Sequence, residues 1–135
     1  MTTTPRAKGN GHDTTSRPRV LVIDDDDDVC EVLREALTDE GYAVATVPHG
    51  AAALELVKHH QPAVIILDLR MPIMDGWSFA EQYRRLAEPA ASLILLSALK
   101  DLEESSKRIG ASAFIRKPFE LDDVVAQIER CIAAS

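Results

Sequence analysis

Three short hydrophobic runs stop abruptly at charged side chains. Residues 20–23 (Val-Leu-Val-Ile) end at Asp24 and Asp25, residues 64–67 (Val-Ile-Ile-Leu) at Asp68, and residues 113–116 (Ala-Phe-Ile-Arg) at Lys117. The run at 64–67 is continuously apolar and partly β-branched, as expected of a central parallel strand covered on both faces. In an open parallel sheet the strand ends of one polarity lie along one edge, so residues far apart in sequence meet there. An acidic pocket holding one lysine suits a divalent cation and a phosphoryl group.

The segments between these runs change period. After the first strand, Val29, Val32, Leu33, Ala36 and Leu37 repeat at helical spacing up to Gly41, a helix stop. Residues 42–47 read as a second strand, and residues 50–59 as a second helix ended by Pro62. A loop from Met71 to Gly76 leads into a helix at 77–86, followed by a strand at 93–96 and a short polar helix at 101–109 closed by Gly110. The fifth strand is 113–116. Leu121, Val124, Val125, Ile128 and Ile132 then mark an amphipathic last helix. Five strands alternating with five helices through short loops predict an α/β sandwich, a parallel sheet with helices on both faces and right-handed crossovers.

A chain of 135 residues that is 46% hydrophobic is sized for one domain with a real core. Residues 1–17 are rich in Thr, Gly, Asn and Pro and are expected to be a disordered tail, leaving 18–135 as the domain. A net charge of -7 with scattered lysines and arginines argues against nucleic acid as a partner. Cys30 and Cys131 are too few and too far apart for a zinc cluster or a disulfide framework. No apolar stretch spans a bilayer and the amino terminus has no signal-peptide core, so the expectation is a cytoplasmic protein with reduced thiols and no membrane contact.

Four motifs in order carry a specific resemblance: Ile23-Asp24-Asp25; Leu67-Asp68-Leu69-Arg70-Met71-Pro72 with Asp75-Gly76; Ser97-Ala98; and Lys117-Pro118-Phe119. From about Arg19 to the carboxyl terminus the chain resembles a receiver domain of the two-component response regulators. The resemblance implies a flavodoxin-like, doubly wound sheet of strand order 2-1-3-4-5, the order for which a chemotaxis member of this family is a standard example. Asp24, Asp25, Asp68, Ser97 and Lys117 would then face one crevice.

By the same resemblance Asp68 is the phosphoacceptor. Asp25 would bind Mg2+ (or Mn2+) directly, Asp24 mainly through water, and Asp68 together with the backbone carbonyl of Arg70 would complete the protein ligands. Lys117, before a cis peptide to Pro118, would be aimed at the phosphoryl oxygens. Ser97 would hydrogen-bond the phosphate and, by moving inward, let the aromatic switch residue Phe114 turn in, changing the face made by helix 4, strand 5 and helix 5. Asp26, Asp27 and Asp28 have a simpler explanation as helix-start acids that cap amides and complement the dipole. His12, His49, His59 and His60 are assigned no site role.

Two departures bear on output and lifetime. The stretch from Ser97 to Lys117 is about two residues shorter than in typical members, with the loss at helix 4, and Arg70 and Leu99 occupy variable positions that flank the pocket. The expected function is a single-domain response regulator in a phosphorelay. It takes a phosphoryl group from a sensor histidine kinase or histidine phosphotransfer protein and signals to a downstream protein partner. It is not an enzyme beyond its own phosphotransfer and autodephosphorylation.

Two alternatives remain. A haloacid-dehalogenase-like phosphatase would use Asp25 in an Asp-x-Asp-x-Val pattern with Asp27 and Val29, but lacks a late acidic pair after strand 4. The other is a non-phosphorylated, receiver-like binding module.

Overall fold

The computed structural model describes residues 17–86 and 91–134. The tail expected at 1–17 therefore lies, apart from Arg17, outside the described residues. Elements alternate as β1 (Arg19–Ile23), α1 (Asp27–Asp39), β2 (Ala43–Val47), α2 (Gly50–Val57), β3 (Val64–Leu67), α3 (Gly76–Arg84), β4 (Ser92–Ser97), α4 (Leu102–Ile109), β5 (Ala113–Arg116) and α5 (Leu121–Ala134). The five strands form one parallel sheet of order β2-β1-β3-β4-β5. The second helix stops at Val57, two residues short of the predicted end, and Pro62 lies beyond it in the loop.

Alternate side chains of each strand go to opposite faces, and both faces are covered. Leu21, Ile23, Ile65, Leu67, Leu93 and Leu95 pack with Ala53, Val57, Phe79, Tyr83, Leu102 and Ile109 from α2, α3 and α4. Val20, Val22, Val64, Ile66, Ile94 and Leu96 pack with Leu33, Leu37, Val124, Ile128 and both cysteines from α1 and α5. Strand β3 is buried at every residue because it has a sheet neighbour on each side and helices on each face. The edge strand β5 alternates half-buried and exposed residues, leaving Phe114 38% exposed.

Local chemistry sets the helix ends. Asp26 caps α1, its carboxylate accepting from the amides of Asp28 and Val29, so the acidic run beyond Asp25 does serve the helix start. Asp75 caps α3 through the Ser78 amide at 2.8 Å. Helix α4 ends on Gly110, whose φ of 78° is the left-handed conformation that glycine adopts without a Cβ clash. Its amide reaches the Ser106 carbonyl.

Candidate functional site

The carboxyl ends of the five strands lie along one edge as the parallel topology requires, and those of β1, β3, β4 and β5 carry the predicted site residues. Backbone bonds lock them: the Asp68 amide donates to the Ile23 carbonyl at 2.9 Å, the Asp24 amide to the Val47 carbonyl at 3.1 Å, and the Lys117 amide to the Ser97 carbonyl at 3.0 Å. Asp24, Asp68 and Ser97 are three of the five buried polar or charged residues among those described, so buried polarity is concentrated at one edge of an otherwise apolar sheet. Folding tolerates such burial only where partners or a ligand compensate it.

Lys117 is the internal partner. Its Nζ lies 2.8 Å from Asp24 Oδ2 and 3.6 Å from Asp68 Oδ2. Asp24 Oδ1 accepts from the Asp26 amide at 2.9 Å, and Asp68 Oδ1 accepts from the Arg70 amide at 3.4 Å. The contact from Lys117 to Asp24 is at the distance of a charge-assisted hydrogen bond, so buried Asp24 Oδ2 depends on this one ammonium, which it shares with Asp68.

The electrostatics follow from this crowding. Burial pushes the Asp24 carboxyl above its ordinary range, and repulsion from Asp68 adds to that against the opposing pull of Lys117 and the Asp26 amide. Burial works against the Lys117 charge, but Asp24 and Asp68 outweigh it and hold that ammonium above its ordinary value. Cys30, whose thiol donates to the Asp24 carbonyl at 3.3 Å, is pushed up to about 11 by burial and the nearby aspartates.

Donor oxygens of Asp24, Asp25 and Asp68 all lie within 4.8 Å of one another, with Asp25 exposed and the other two buried. Ligands around a small octahedral cation sit ~3 Å apart when adjacent and ~4 Å apart when opposite, given metal–oxygen distances of about 2.0–2.1 Å. Three carboxylates at this spacing, with a single ammonium among them, fit a divalent metal. Beside them opens a cleft of about 670 Å³ lined by Asp68, Arg70, Ser97, Ala98, Leu99, Lys100, Asp101 and Lys117. Of the residues predicted to share one crevice, Asp68, Ser97 and Lys117 line it, with Arg70 and Leu99 at its rim, while Asp24 and Asp25 form the acidic group next to it.

The loop after β3 is shaped by a close approach. A Cβ on Gly76 would stand 2.4 Å from the Asp68 carbonyl oxygen and 2.8 Å from Leu69 Cα, so only glycine lets the start of α3 pack against the backbone that carries Asp68. The Gly76 amide bonds the Leu69 carbonyl at 2.9 Å. The Lys117-Pro118 peptide is cis, as the resemblance implied.

Residues 20–129 match the model of the response regulator receiver domain. The chain belongs to the response regulator receiver domain family. This receiver is 36% identical over 116 residues to the DNA-binding transcriptional regulator NtrC of Escherichia coli K12, a match covering 84% of the chain and 24% of NtrC. It is also 36% identical over 114 residues to the transcriptional regulatory protein PrrA of Mycobacterium tuberculosis, covering 83% of the chain and 48% of PrrA. The chain thus spans from about a quarter to half the length of these relatives.

Among solved structures, a CheY-like receiver domain protein from Methanospirillum hungatei superposes with a TM-score of 0.82 at 26% identity, covering 88% of this chain and 96% of that one. The response regulator TrrA from Thermotoga maritima, in complex with Mg2+ and BeF, gives 0.76 at 29% identity over 84% of this chain and 98% of that one. The receiver fold and family expected from the four motifs are therefore correct. Among the described residues no helix is long and apolar enough to cross a membrane.

Several contacts had no clear sequence signal. His49 caps α2, its Nδ1 accepting from the Ala52 amide at 3.2 Å, an unusual cap that its place just before Gly50 could have suggested. Arg116 donates to the Leu99 carbonyl at 2.7 Å. Helices α3 and α4 are joined by Arg108, 5.8 Å from the Trp77 ring centroid, and by Arg84, which donates to the Gly110 carbonyl at 3.2 Å.

Proposed function

We propose that this receiver takes a phosphoryl group onto Asp68 from a phosphohistidine of a sensor kinase or histidine phosphotransfer protein. One observation carries the proposal: Asp68 is buried at the wall of an open cleft, with a lysine ammonium 3.6 Å from one carboxylate oxygen. A carboxylate is a weak nucleophile toward phosphorus, and the charge on the equatorial oxygens must be neutralised as the bond forms. An Asp68 oxygen attacks phosphorus in line, the phosphorus–nitrogen bond breaks, and its electron pair stays on the imidazole. Lys117 turns from the carboxylates to the phosphoryl oxygens, and the Ser97 hydroxyl donates to one of them. Water reverses the state by attacking phosphorus, releasing inorganic phosphate and restoring the carboxylate.

Asp24, Asp25, Asp68 and the Arg70 carbonyl would hold Mg2+, with Asp25 a direct ligand and Asp24 acting through water. When bound, the metal supplies positive charge that offsets repulsion between the carboxylates and the incoming phosphoryl group. Phe114, exposed on edge strand β5, turns inward when Ser97 moves, and so alters the α4–β5–α5 face read by a downstream protein.

Covalent labelling of two variants tests the assignment. Asp68→Asn abolishes stable phosphate incorporation, while Asp25→Asn slows it and weakens Mg2+ binding measured by titration. Full incorporation by Asp68→Asn with none by Asp25→Asn would transfer the nucleophile to Asp25, the phosphatase pattern.

A further inference from the structure

We propose that Arg116 is a positioning residue that tethers the loop between β4 and α4 to the edge strand β5, holding the rim of the Asp68 cleft open. The proposal rests on Asp68 as phosphoacceptor. In the sheet β4 lies between β3 and β5, so the loop leaving β4 can lean toward β3, over Asp68, or away from it toward β5. Arg116 pairs in register with Ser97, the last residue of β4, and its side chain therefore lies on the same sheet face as that of Ser97. From there the guanidinium donates to the carbonyl of Leu99, two residues beyond Ser97, at 2.7 Å.

Leu99 lines the cleft, whose volume of about 670 Å³ far exceeds what one phosphoryl group fills. A rim that is to close over the phosphoryl group must move toward β3, and the Arg116 bond holds it on the β5 side. The backbone bond from the Lys117 amide to the Ser97 carbonyl is separate, so losing the Arg116 side chain frees the loop without unpairing the strands. Arginine suits this task because its planar guanidinium stays charged and reaches across one strand spacing to a carbonyl.

Arg116→Ala and Arg116→Lys test the tether. With phosphoramidate as the small phosphodonor and saturating Mg2+, Arg116→Ala incorporates phosphate about fivefold faster, the population shift that losing one net hydrogen bond permits. Arg116→Lys, which keeps a cation and a donor, stays near the parent rate. An equal or slower rate in Arg116→Ala overturns the proposal; simple loss of a favourable positive charge would give the slower rate.

Amide hydrogen exchange of the metal-free proteins reads the tether without phosphorylation. Exchange at residues 98–101 rises in Arg116→Ala while the sheet stays protected, and unchanged exchange there also overturns the proposal. A parent that takes up no phosphate on Asp68, with exchange rising as stated, would instead count against the phosphoacceptor assignment and leave the tether standing.

Discussion

Lys117 Nζ sits 2.8 Å from the buried Asp24 Oδ2 and 3.6 Å from Asp68 Oδ2. One ammonium is therefore divided between two carboxylates, Asp24 and Asp68, which repel each other. A site built this way is costly to fold empty and gains most when extra positive charge arrives.

That cost predicts a stabilising mutation. The Asp24 carboxyl is raised above 3.8 in the folded chain, chiefly by burial, so its ionised form opposes folding. By linkage, folding is favoured below 3.8, where the carboxyl is neutral in both states, and loses stability as pH rises through the folded value. Asp24→Asn should therefore raise the stability of the metal-free protein at pH 7 by on the order of 1 kcal/mol. The advantage should shrink on acidification and on adding Mg2+ to the parent. Denaturant melts at several pH values check this; a destabilised Asn variant at neutral pH would mean the Lys117 pair outweighs the burial of Asp24.

Gly76→Ala should cost about 1–3 kcal/mol, because the added methyl meets backbone atoms of Asp68 and Leu69 that cannot swing aside. Phosphorylation should slow in the same variant as Asp68 is displaced. Thermal melts and a phosphorylation time course read the two effects separately, and a melt matching the parent would show that the loop relaxes at little cost.

The thiol of Cys30, held up to about 11 against its ordinary 9.0, favours the neutral form in the fold. Stability from this group is present below pH 9.0 and is lost as pH rises toward about 11. Cys30→Ser does not titrate there and can still donate to the Asp24 carbonyl, so its alkaline stability profile in metal-free buffer should be flatter than the parent's. Parallel profiles would remove Cys30 as a source of the alkaline loss.

The strand ends were legible in the sequence because an apolar run that ends in an acid marks where a covered strand meets an edge. Val64–Leu67 and Asp68 gave β3 and its terminal carboxylate from local pattern alone. The capping role of Asp26 was equally local. The division of Lys117 between Asp24 and Asp68 was not legible, because it depends on how far β5 sits from β1 across two intervening strands. The bond from Arg116 to Leu99 and the contact of Arg108 with Trp77 likewise arise from tertiary approach that no periodicity records. Ile73 adopts a φ of 70° although it is β-branched, a conformation that the sequence of its loop did not announce.

Arg70 is exposed and lines the cleft, long enough to reach a phosphoryl oxygen and to obstruct the line of attacking water. Arg70→Ala should therefore dephosphorylate severalfold faster with unchanged Mg2+ affinity, since only its backbone carbonyl is assigned to the metal. Loss of labelled phosphate over time measures it. A rate equal to or slower than the parent's would leave the side chain without a shielding role.

The central claim is that phosphate resides on Asp68. Borohydride reduces an aspartyl phosphate to homoserine, so protein treated with phosphoramidate and Mg2+, trapped with borohydride and mapped by peptide mass spectrometry should carry homoserine at position 68. It should be absent when Mg2+ is chelated. Homoserine at position 24 or 25, or a trapped product at no aspartate under conditions that label a known receiver, would contradict the account.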